Sequence, residues 1–394
     1  MATRKTGNLS EIVRLGSVIS INPDSVGKHF PFETINYIDI SSVGSGTLNG
    51  ITEIKISEAP SRARRMVKSA DTILSTVRPN RRSFLFVKCP VVNTVVSTGF
   101  AVVRAKDEIN PRFLYYTITH QPFTDYLTNN AKGAAYPAVD TDTIARAEIW
   151  LPPLPTQHKI ASILSAYDDL IENNLRRIKI LEEMAQALYR EWFVKFRFPG
   201  HEKVRMVNSP LGKIPEGWEV VKLGERVTLL YGKGLTKSDR KEGDVPVFGS
   251  SGVVGRHNRS IVRGPGIIVG RKGNVGSVFW SDTDFYPIDT VFYTKTDLPM
   301  HYVYYNLRHQ NFINNDAAVP GLNRNQAHSL PFIVPEKRIL CKFSESADLI
   351  FRQTMNLNRR AMTLRQTRDL LLPRLISGEL DVSDLEINIP AEVA

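Results

Sequence analysis

Residues 151–193 read LPPLPTQHKIASILSAYDDLIENNLRRIKILEEMAQALYREWF, opening in prolines and then running for about ten helical turns without a further Pro or Gly. Stepping along this stretch by four and three residues in turn gives Ile160, Leu164, Tyr167, Ile171, Asn174, Ile178, Leu181, Ala185, Leu188 and Trp192, apolar at every position except Asn174. A repeat of 3.5 residues is the signature of a coiled-coil seam, and a single Asn within it fixes register. At 1.5 Å per residue, a helix from Gln157 to Phe193 spans roughly 55 Å, whereas ordinary helices average about 11 residues. An ordinary core helix inside one globule is the alternative, but one small domain cannot cover so long an apolar stripe. The chain therefore needs a second long helix.

It has one, because the sequence is written twice. AYPAVDTDTIARAEIWLPP (residues 135–153) corresponds to AVPGLNRNQAHSLPFIVPE (residues 318–336), with Pro137 matching Pro320 and Pro152 matching Pro335 at a constant spacing of 183 residues. The same shift carries RRIKIL (residues 176–181) onto RRAMTL (residues 359–364). Upstream, VRLG ending at Gly16 matches VKLG ending at Gly224 at a spacing of 208, so the first copy holds about 25 more residues than the second. Shifting the first seam by 183 gives Phe343, Ala347, Ile350, Thr354, Leu357, Ala361, Leu364, Arg368, Leu371 and Leu375, a weaker seam but a recognisable one. The two amphipathic helices are expected to bury their stripes against each other as a coiled-coil pair.

Each copy places a globular part before its helix. β-Branched alternation with Gly, Pro and Asn punctuation predicts short strands in ETINYIDISSV, DTILSTV, SFLFVK and VVNTVVSTGFAVV, and again in GDVPVFGSSGVVG, GPGIIVGRKGNVGSVFW and TVFYTK. The Pro/Gly-rich residues 198–218 read as a linker. The longest apolar runs are far shorter than the ~20 residues that cross a bilayer, and the first residues lack the apolar core of a signal peptide. Cys89 and Cys341 are too few and too distant for a metal knuckle or disulfide framework. The expectation is a cytoplasmic protein with no membrane contact.

A net charge of +11 biases the chain toward polyanionic partners, nucleic acid first. The arginines, lysines and amides cluster in loops. The first copy offers Arg62, Arg64 and Arg65, then Arg78, Asn80, Arg81 and Arg82, then Lys132 and Tyr136 before the proline exit. The second offers Ser250, Ser251 and Arg256, then Arg271, Lys272 and Asn274, then Asn323, Arg324 and Asn325. Arg, Lys, Asn and Gln can pair with base edges, while Ser hydroxyls and Gly amides approach phosphates. Any one cluster could be a solvated face, but their recurrence in both copies favours a DNA interface. For an enzyme the sequence offers little. The Gly-rich residues 44–50 and 270–276 do not fit a P-loop or dinucleotide fingerprint, and the histidines show no metal-ligand spacing. Asp39 with Glu53 and Lys55 is the best nuclease-like trio, of a kind that chance supplies readily in a charged chain.

The helix of residues 151–193, SPLGKIPEGWEVVKLGE, RNQAHSLPFIVP and the terminal LRQTRDLLLPRLISGEL together resemble the specificity subunit of Type I restriction-modification enzymes, and the resemblance covers nearly the whole chain. It implies an α+β fold in which two similar α/β target-recognition domains are separated by two helices packed as an antiparallel coiled coil. The implied domains are a first recognition domain over residues 1–153, a helical spacer over 154–197, a linker and second recognition domain over 198–335, a second spacer over 336–380 and an acidic tail over 381–394. The function implied is non-catalytic. Each domain reads one half-site of a bipartite double-stranded DNA target, and the helices set the spacer and dock two methyltransferase (modification) subunits. S-adenosylmethionine belongs to those subunits, ATP and Mg to motor-nuclease (restriction) subunits, and no cofactor is expected on this chain. Where the family often has Glu-Gln at the start of the first helix, this chain has Thr156-Gln157, and at the second it has Glu336-Lys337. The competing readings are a self-contained DNA nuclease or methyltransferase, active without partners, and a coiled-coil scaffold whose binding ignores salt.

Overall fold

The computed structural model describes residues 10–27, 30–133, 135–312 and 321–390. The chain divides into two compact units, the first made of residues 1–174 and 360–394 and the second of residues 175–359. The two long helices are thus shared, each giving one part to each unit.

Unit 1 opens with β1 (Glu11–Arg14), α1 (Leu15–Val18) and β2 (Ile19–Ile21). It continues through β3 (Thr34–Ile38), β4 (Thr52–Lys55), β5 (Ala63–Met66), β6 (Thr72–Ser75), β7 (Phe84–Phe86), β8 (Thr94–Ser97) and β9 (Phe100–Ala105). Helices α2 (Pro111–Thr119), α3 (Gln121–Asn129) and α4 (Thr141–Arg146) follow, and β10 (Glu148–Leu151) leads into α5 (Leu154–Tyr189). β1 pairs antiparallel with β10, so the entry to and exit from the unit lie side by side. One antiparallel sheet runs β2-β9-β6-β7, and a second runs β4-β3-β8-β5 with β3 and β8 parallel. The core lies where α1, α2 and α4 close over β2 and β9, with Leu15, Val103, Phe113, Leu114 and Ile144 all buried, and it takes in Ile160 and Leu164 of α5.

Unit 2 repeats this plan with β11 (Met206–Ser209) and β12 (Gly212–Pro215) as a leading hairpin, then β13 (Glu219–Lys222), α6 (Leu223–Arg226) and β14 (Val227–Tyr231). It goes on through β15 (Val245–Gly249), β16 (Gly252–His257), β17 (Gly266–Gly270), β18 (Val278–Ser281), β19 (Tyr286–Pro287) and β20 (Val291–Thr296). It ends with α7 (Met300–His309), α8 (Arg324–Ser329), β21 (Pro331–Val334) and the start of α9 (Lys337–Ile376). The sheets are β14-β20-β17-β18 and β16-β15-β19, the second again holding one parallel pair, β15 with β19.

The repeat is exact in register at its scaffold points. Glu11 faces Leu151 as Glu219 faces Val334, and the amide of Leu15 bonds the carbonyl of Ala147 as that of Leu223 bonds Leu330. Both spacings read from the sequence, 208 and 183, are preserved in these pairs. Asp140 caps α4 by accepting from the amide of Thr143, and Asn323, 183 residues on, caps α8 by accepting from Asn325 and Gln326. The glycine of the matched VRLG and VKLG motifs also has a physical reason. A Cβ on Gly16 would lie 2.9 Å from the Cβ of Ala145, and one on Gly224 2.7 Å from that of His328, so each short helix can meet its partner only through glycine. Strand β5 and a longer β3-to-β4 connection account for much of the first copy's extra length. Pro320, matched to Pro137 in sequence, lies outside the described residues.

The long helices are antiparallel. In unit 1, Asp168 of α5 meets Arg368 of α9, whereas in unit 2 Tyr189 and, just past α5, Phe193 meet Phe343, so rising numbers on one helix pair with falling numbers on the other. The 3.5-residue seam is what is buried: Ile160, Leu164, Ile171, Asn174, Ile178, Phe343, Ala347, Leu357, Ala361 and Leu375 are all at most 9% exposed, and Tyr167, Leu181, Leu188, Ile350, Leu364 and Leu371 are half-buried. The turn after α5, Arg190–Val194, widens to a π-helix that sets Trp192 and Phe193 into the core of unit 2.

Gln157 fastens the start of α5. Only 1% exposed, it accepts from the amide of Asn110 at 2.8 Å and donates to the carbonyls of Pro152 at 2.7 Å and Glu108 at 3.2 Å. The described part of the acidic tail packs within unit 1: Val382 is 2% exposed, Ile389 joins the same core, and Lys159 donates to the carbonyl of Ser383.

Candidate nucleic-acid interface

In unit 1 the structure brings two of the predicted loops together. Val77 and Lys132 both form β-bridges to Ala138, and the amide of Arg78 bonds the carbonyl of Pro137 at 2.7 Å. The turn Pro79–Arg81 is flanked by Arg78 and Arg82, both in the left-handed region with φ of 49° and 55°, which thrusts Asn80 and Arg81 outward as exposed residues at its tip. The guanidinium of Arg78 stacks over the exposed ring of Tyr136, 4.3 Å from its centroid, and bonds the carbonyl of Ala135. Lys132, largely solvated, reaches Asp140 at 3.7 Å. Arg82 turns inward, bonding the carbonyl of Thr119 and the side chain of Gln121, and its role is to hold the turn. The solvent-facing rim of these loops is thus formed by Arg78, Asn80, Arg81, Lys132 and Tyr136.

The third predicted cluster lies at the start of β5, the edge of the other sheet, with Arg62 just before the strand and Arg64 and Arg65 on it. Arg62 is exposed and pairs with Asp39 at 3.2 Å, and Arg64 is exposed with its Nε on the carbonyl of Ser61. Arg65 is half-buried, its enclosed Nη1 finds no partner among the described residues, and this burial lowers its affinity for the proton. The nuclease-like trio is occupied elsewhere. Burial works against ionisation of Asp39, but bonds from Ser41 and Tyr37 and the charge of Arg62 outweigh it and hold the carboxyl below its usual range. Asp39 caps the turn Ile40–Ser42, while Glu53 and Lys55 lie along β4. Among the described residues no group of three or more His, Cys, Asp or Glu is placed to hold a metal.

In unit 2 the turn of residues 270–276 is the hub. The amide of Gly276 bonds the carbonyl of Gly270, where a Cβ would sit 2.1 Å from the carbonyl oxygen of Asn274, so the glycines close a tight turn and do not form a phosphate loop. Asn274 donates to Ser251 at 3.3 Å, and Ser277 donates to the carbonyl of Ser250, which ties in the tip of the β15–β16 hairpin. On the other side Lys272 bridges Gly321, and the amide of Leu322 bonds the carbonyl of Arg271 at 2.7 Å. A groove of about 420 Å³ results, lined by Arg271, Lys272, Asn323, Arg324, Asn325 and Tyr231. Arg256 is exposed on β16 and bonds the carbonyl of Asp244, outside this groove.

Sequence reasoning missed Tyr231. Its only signal was an aromatic residue ending a strand, and its neighbours in the groove lie 40 and 93 positions away at Arg271 and Arg324. No helix among the described residues is long and apolar enough to cross a membrane.

Comparison with known proteins adds the family. The family model described as Type I restriction modification DNA specificity domain matches residues 8–183 and again 215–340. The specificity subunit of the MjaIX Type I restriction enzyme of Methanocaldococcus jannaschii is 26% identical over 351 residues, spanning 80% of this chain and 78% of that one. The HindI specificity subunit of Haemophilus influenzae is 24% identical and spans 90% of this chain and 97% of its own length. The crystal structure of the Type I restriction-modification S subunit from M. genitalium superposes with a TM-score of 0.58 at 15% identity, covering 95% of this chain and 98% of that one, a likeness of fold.

Proposed function

The chain belongs to the Type I restriction-modification DNA specificity family, and from that membership we propose that each of its two units reads one half of a bipartite double-stranded DNA target. The observation that carries this reading is a shared scaffold bearing unshared rims. The caps, glycine contacts and strand registers of the two units coincide, while the residues along their loop rims differ: Arg78, Asn80 and Tyr136 in one, Arg271, Lys272 and Arg324 in the other. A duplicated frame with different side chains at the same edge suits recognition of two different short sequences.

The antiparallel helices then set the spacer between half-sites and dock two methyltransferase subunits. The chain itself carries no chemistry. S-adenosylmethionine resides on the modification subunits, ATP and Mg on the motor-nuclease subunits, and the complex works on DNA in the cytoplasm. The test is to express the chain with its modification subunits and map methylated adenines across the host genome. A single bipartite motif is expected, and the purified chain given S-adenosylmethionine and DNA should transfer no methyl groups. Transfer by the chain without partners would instead establish a self-contained methyltransferase.

A further inference from the structure

The geometry points to Arg324 as a guanine-reading residue of unit 2, with Tyr231 and Arg271 as the residues that position it; this inference rests on the proposed DNA-reading function. The guanidinium carbons of Arg271 and Arg324 lie 4.9 Å and 5.0 Å from the centroid of the Tyr231 ring, which is 48% exposed at the lip of the groove. Arg271 is anchored: its amide bonds the carbonyl of Thr290, its carbonyl accepts from Leu322, and its Nη1 donates to the carbonyl of Asp289. Arg324 is oriented but unspent. Its Nε is enclosed without a partner, and among the described residues no ion pair or hydrogen bond engages its Nη atoms, which leaves a planar pair of donors free at the groove. Stacking on an aromatic ring fixes the plane of a guanidinium, and a fixed fork matches two acceptors side by side, as on the O6 and N7 edge of guanine.

A phosphate would also satisfy a cation, but the comparison of the two units argues for a base. The spacing of 208 shared by β2 and β14 puts Pro23, two residues past the end of β2, at the place that Tyr231 holds in unit 2. The amide of Val139 bonds the carbonyl of Thr76 just as that of Leu322 bonds Arg271, and the residue after each helix cap is Thr141 in unit 1 and Arg324 in unit 2. All three members of the clamp are therefore missing from unit 1, although the scaffold around them is kept. Backbone phosphates are the same in every half-site, so a phosphate contact has no reason to be confined to one copy, whereas a base contact does. Asn323 has its Oδ1 committed to capping α8, and Arg324, the first residue of that helix, lines the groove beside it.

The test uses the full chain assembled with its modification subunits, the target mapped for the unaltered complex, duplexes substituted at each G·C pair of both halves, and an unrelated duplex. Arg324→Lys keeps the charge and loses the fork. It should abolish discrimination at one G·C pair in one half-site, a loss of about 5- to 150-fold, with the other half and the salt dependence unchanged. Tyr231→Leu should weaken the same discrimination and Tyr231→Phe should restore it. If Arg324→Lys discriminates like the unaltered complex, or if Arg324→Ala weakens all duplexes equally with a salt slope lower by about 1, Arg324 is not a base reader. Should the unaltered complex prefer no sequence at all, it is the proposed function that fails.

Discussion

Arg368 of α9 donates to Asp168 of α5, and the same carboxylate accepts from the hydroxyl of Tyr116 on α2 at 2.6 Å. A charged residue in a coiled-coil seam is thereby turned into a three-way tie between both long helices and the globular part of unit 1. Burial works against the charge of Arg368, but Asp168 and Asp369 outweigh it and strengthen its hold on the proton. Because both side chains of the pair are only about a quarter exposed, Arg368→Met should destabilise unit 1 by about 1–3 kcal/mol. Combined with Tyr116→Phe in a double-mutant cycle read by denaturant unfolding, the two should couple by at least about 0.5 kcal/mol. Strict additivity would show that Asp168 does not join them.

Gln157 invites a second prediction, since all its bonds fix the junction of β10, α2 and α5. The matching place in unit 2, 183 residues on, is Leu340, itself 3% exposed. Gln157→Leu, which copies the other unit, should still cost about 1–3 kcal/mol because the amide of Asn110 loses its buried acceptor. Thermal unfolding measures this, and an unchanged midpoint would mean that the bonds contribute nothing net.

Acid should weaken unit 1 through Asp24. Its bond from Arg104, then that from Lys68, hold its carboxyl below the ordinary range against a smaller opposing effect of burial. A carboxylate with a depressed pKa contributes stability that is full above the ordinary value near ~3.9 and disappears as the pH falls through the folded one. With a third of its side chain exposed, the contribution is about 1 kcal/mol or less. Asp24→Asn should flatten that part of the urea-midpoint profile below about pH 4 without altering its shape at neutral pH. Arg104 is also held by Asp71, which is fully buried and bonds it at 2.7 and 2.8 Å, and Asp71→Ala should destabilise by about 3 kcal/mol at neutral pH.

The rim of unit 1 should govern the half-site that Arg324 does not. Arg78→Asn keeps a residue that tolerates the left-handed backbone and removes the guanidinium stacked on Tyr136. Methylation mapping of this variant and of Tyr136→Ala should show relaxed sequence in one half only, each lost base contact being worth about 1–3 kcal/mol. Changes in both halves would contradict the assignment of one unit to one half-site.

Lengthening the helices tests the spacer. Single-residue insertions rotate each later seam residue by about 100° and should unfold the pair, whereas seven residues keep the seam and add roughly 10 Å. The sequence repeat would match an insertion between Ile178 and Leu188 with one between Ala361 and Leu371. In an antiparallel pair α9 runs in reverse to α5, so the insertions belong instead where each helix passes from one unit to the other, after Asn174 in α5 and after Arg359 in α9. Methylation mapping should then show unchanged half-sites and a spacer longer by about three base pairs, or by less if the DNA bends or twists. An active complex with the original spacer would rule out the helices as the ruler.

The sequence by itself determined the periodic and repetitive features. A 3.5-residue apolar repeat leaves only one face of a helix to bury, so the seam from Ile160 to Ile178 could be read before any partner was known. The spacing of 208 likewise matched the glycines Gly16 and Gly224, because their role depends on local backbone geometry that each copy must reproduce, whereas the capping roles of Asp140 and of Asn323, the latter read in the sequence as a DNA-facing loop residue, came only with the structure. What only tertiary structure decided was which separated residues meet. Arg65 and Arg82 look like Arg78 and Arg81 in the sequence, yet the first two turn inward and the last two line the rim, because strand pleat and a left-handed turn aim them differently. Tyr231 gained its place beside Arg271 and Arg324 from β14, the turn after β17 and the start of α8, three segments joined by sheet pairing and loop bonds over long stretches of chain. Local pattern fixes what a segment can become, but the aim of a side chain depends on non-local contacts, and it is at such contacts that recognition is built.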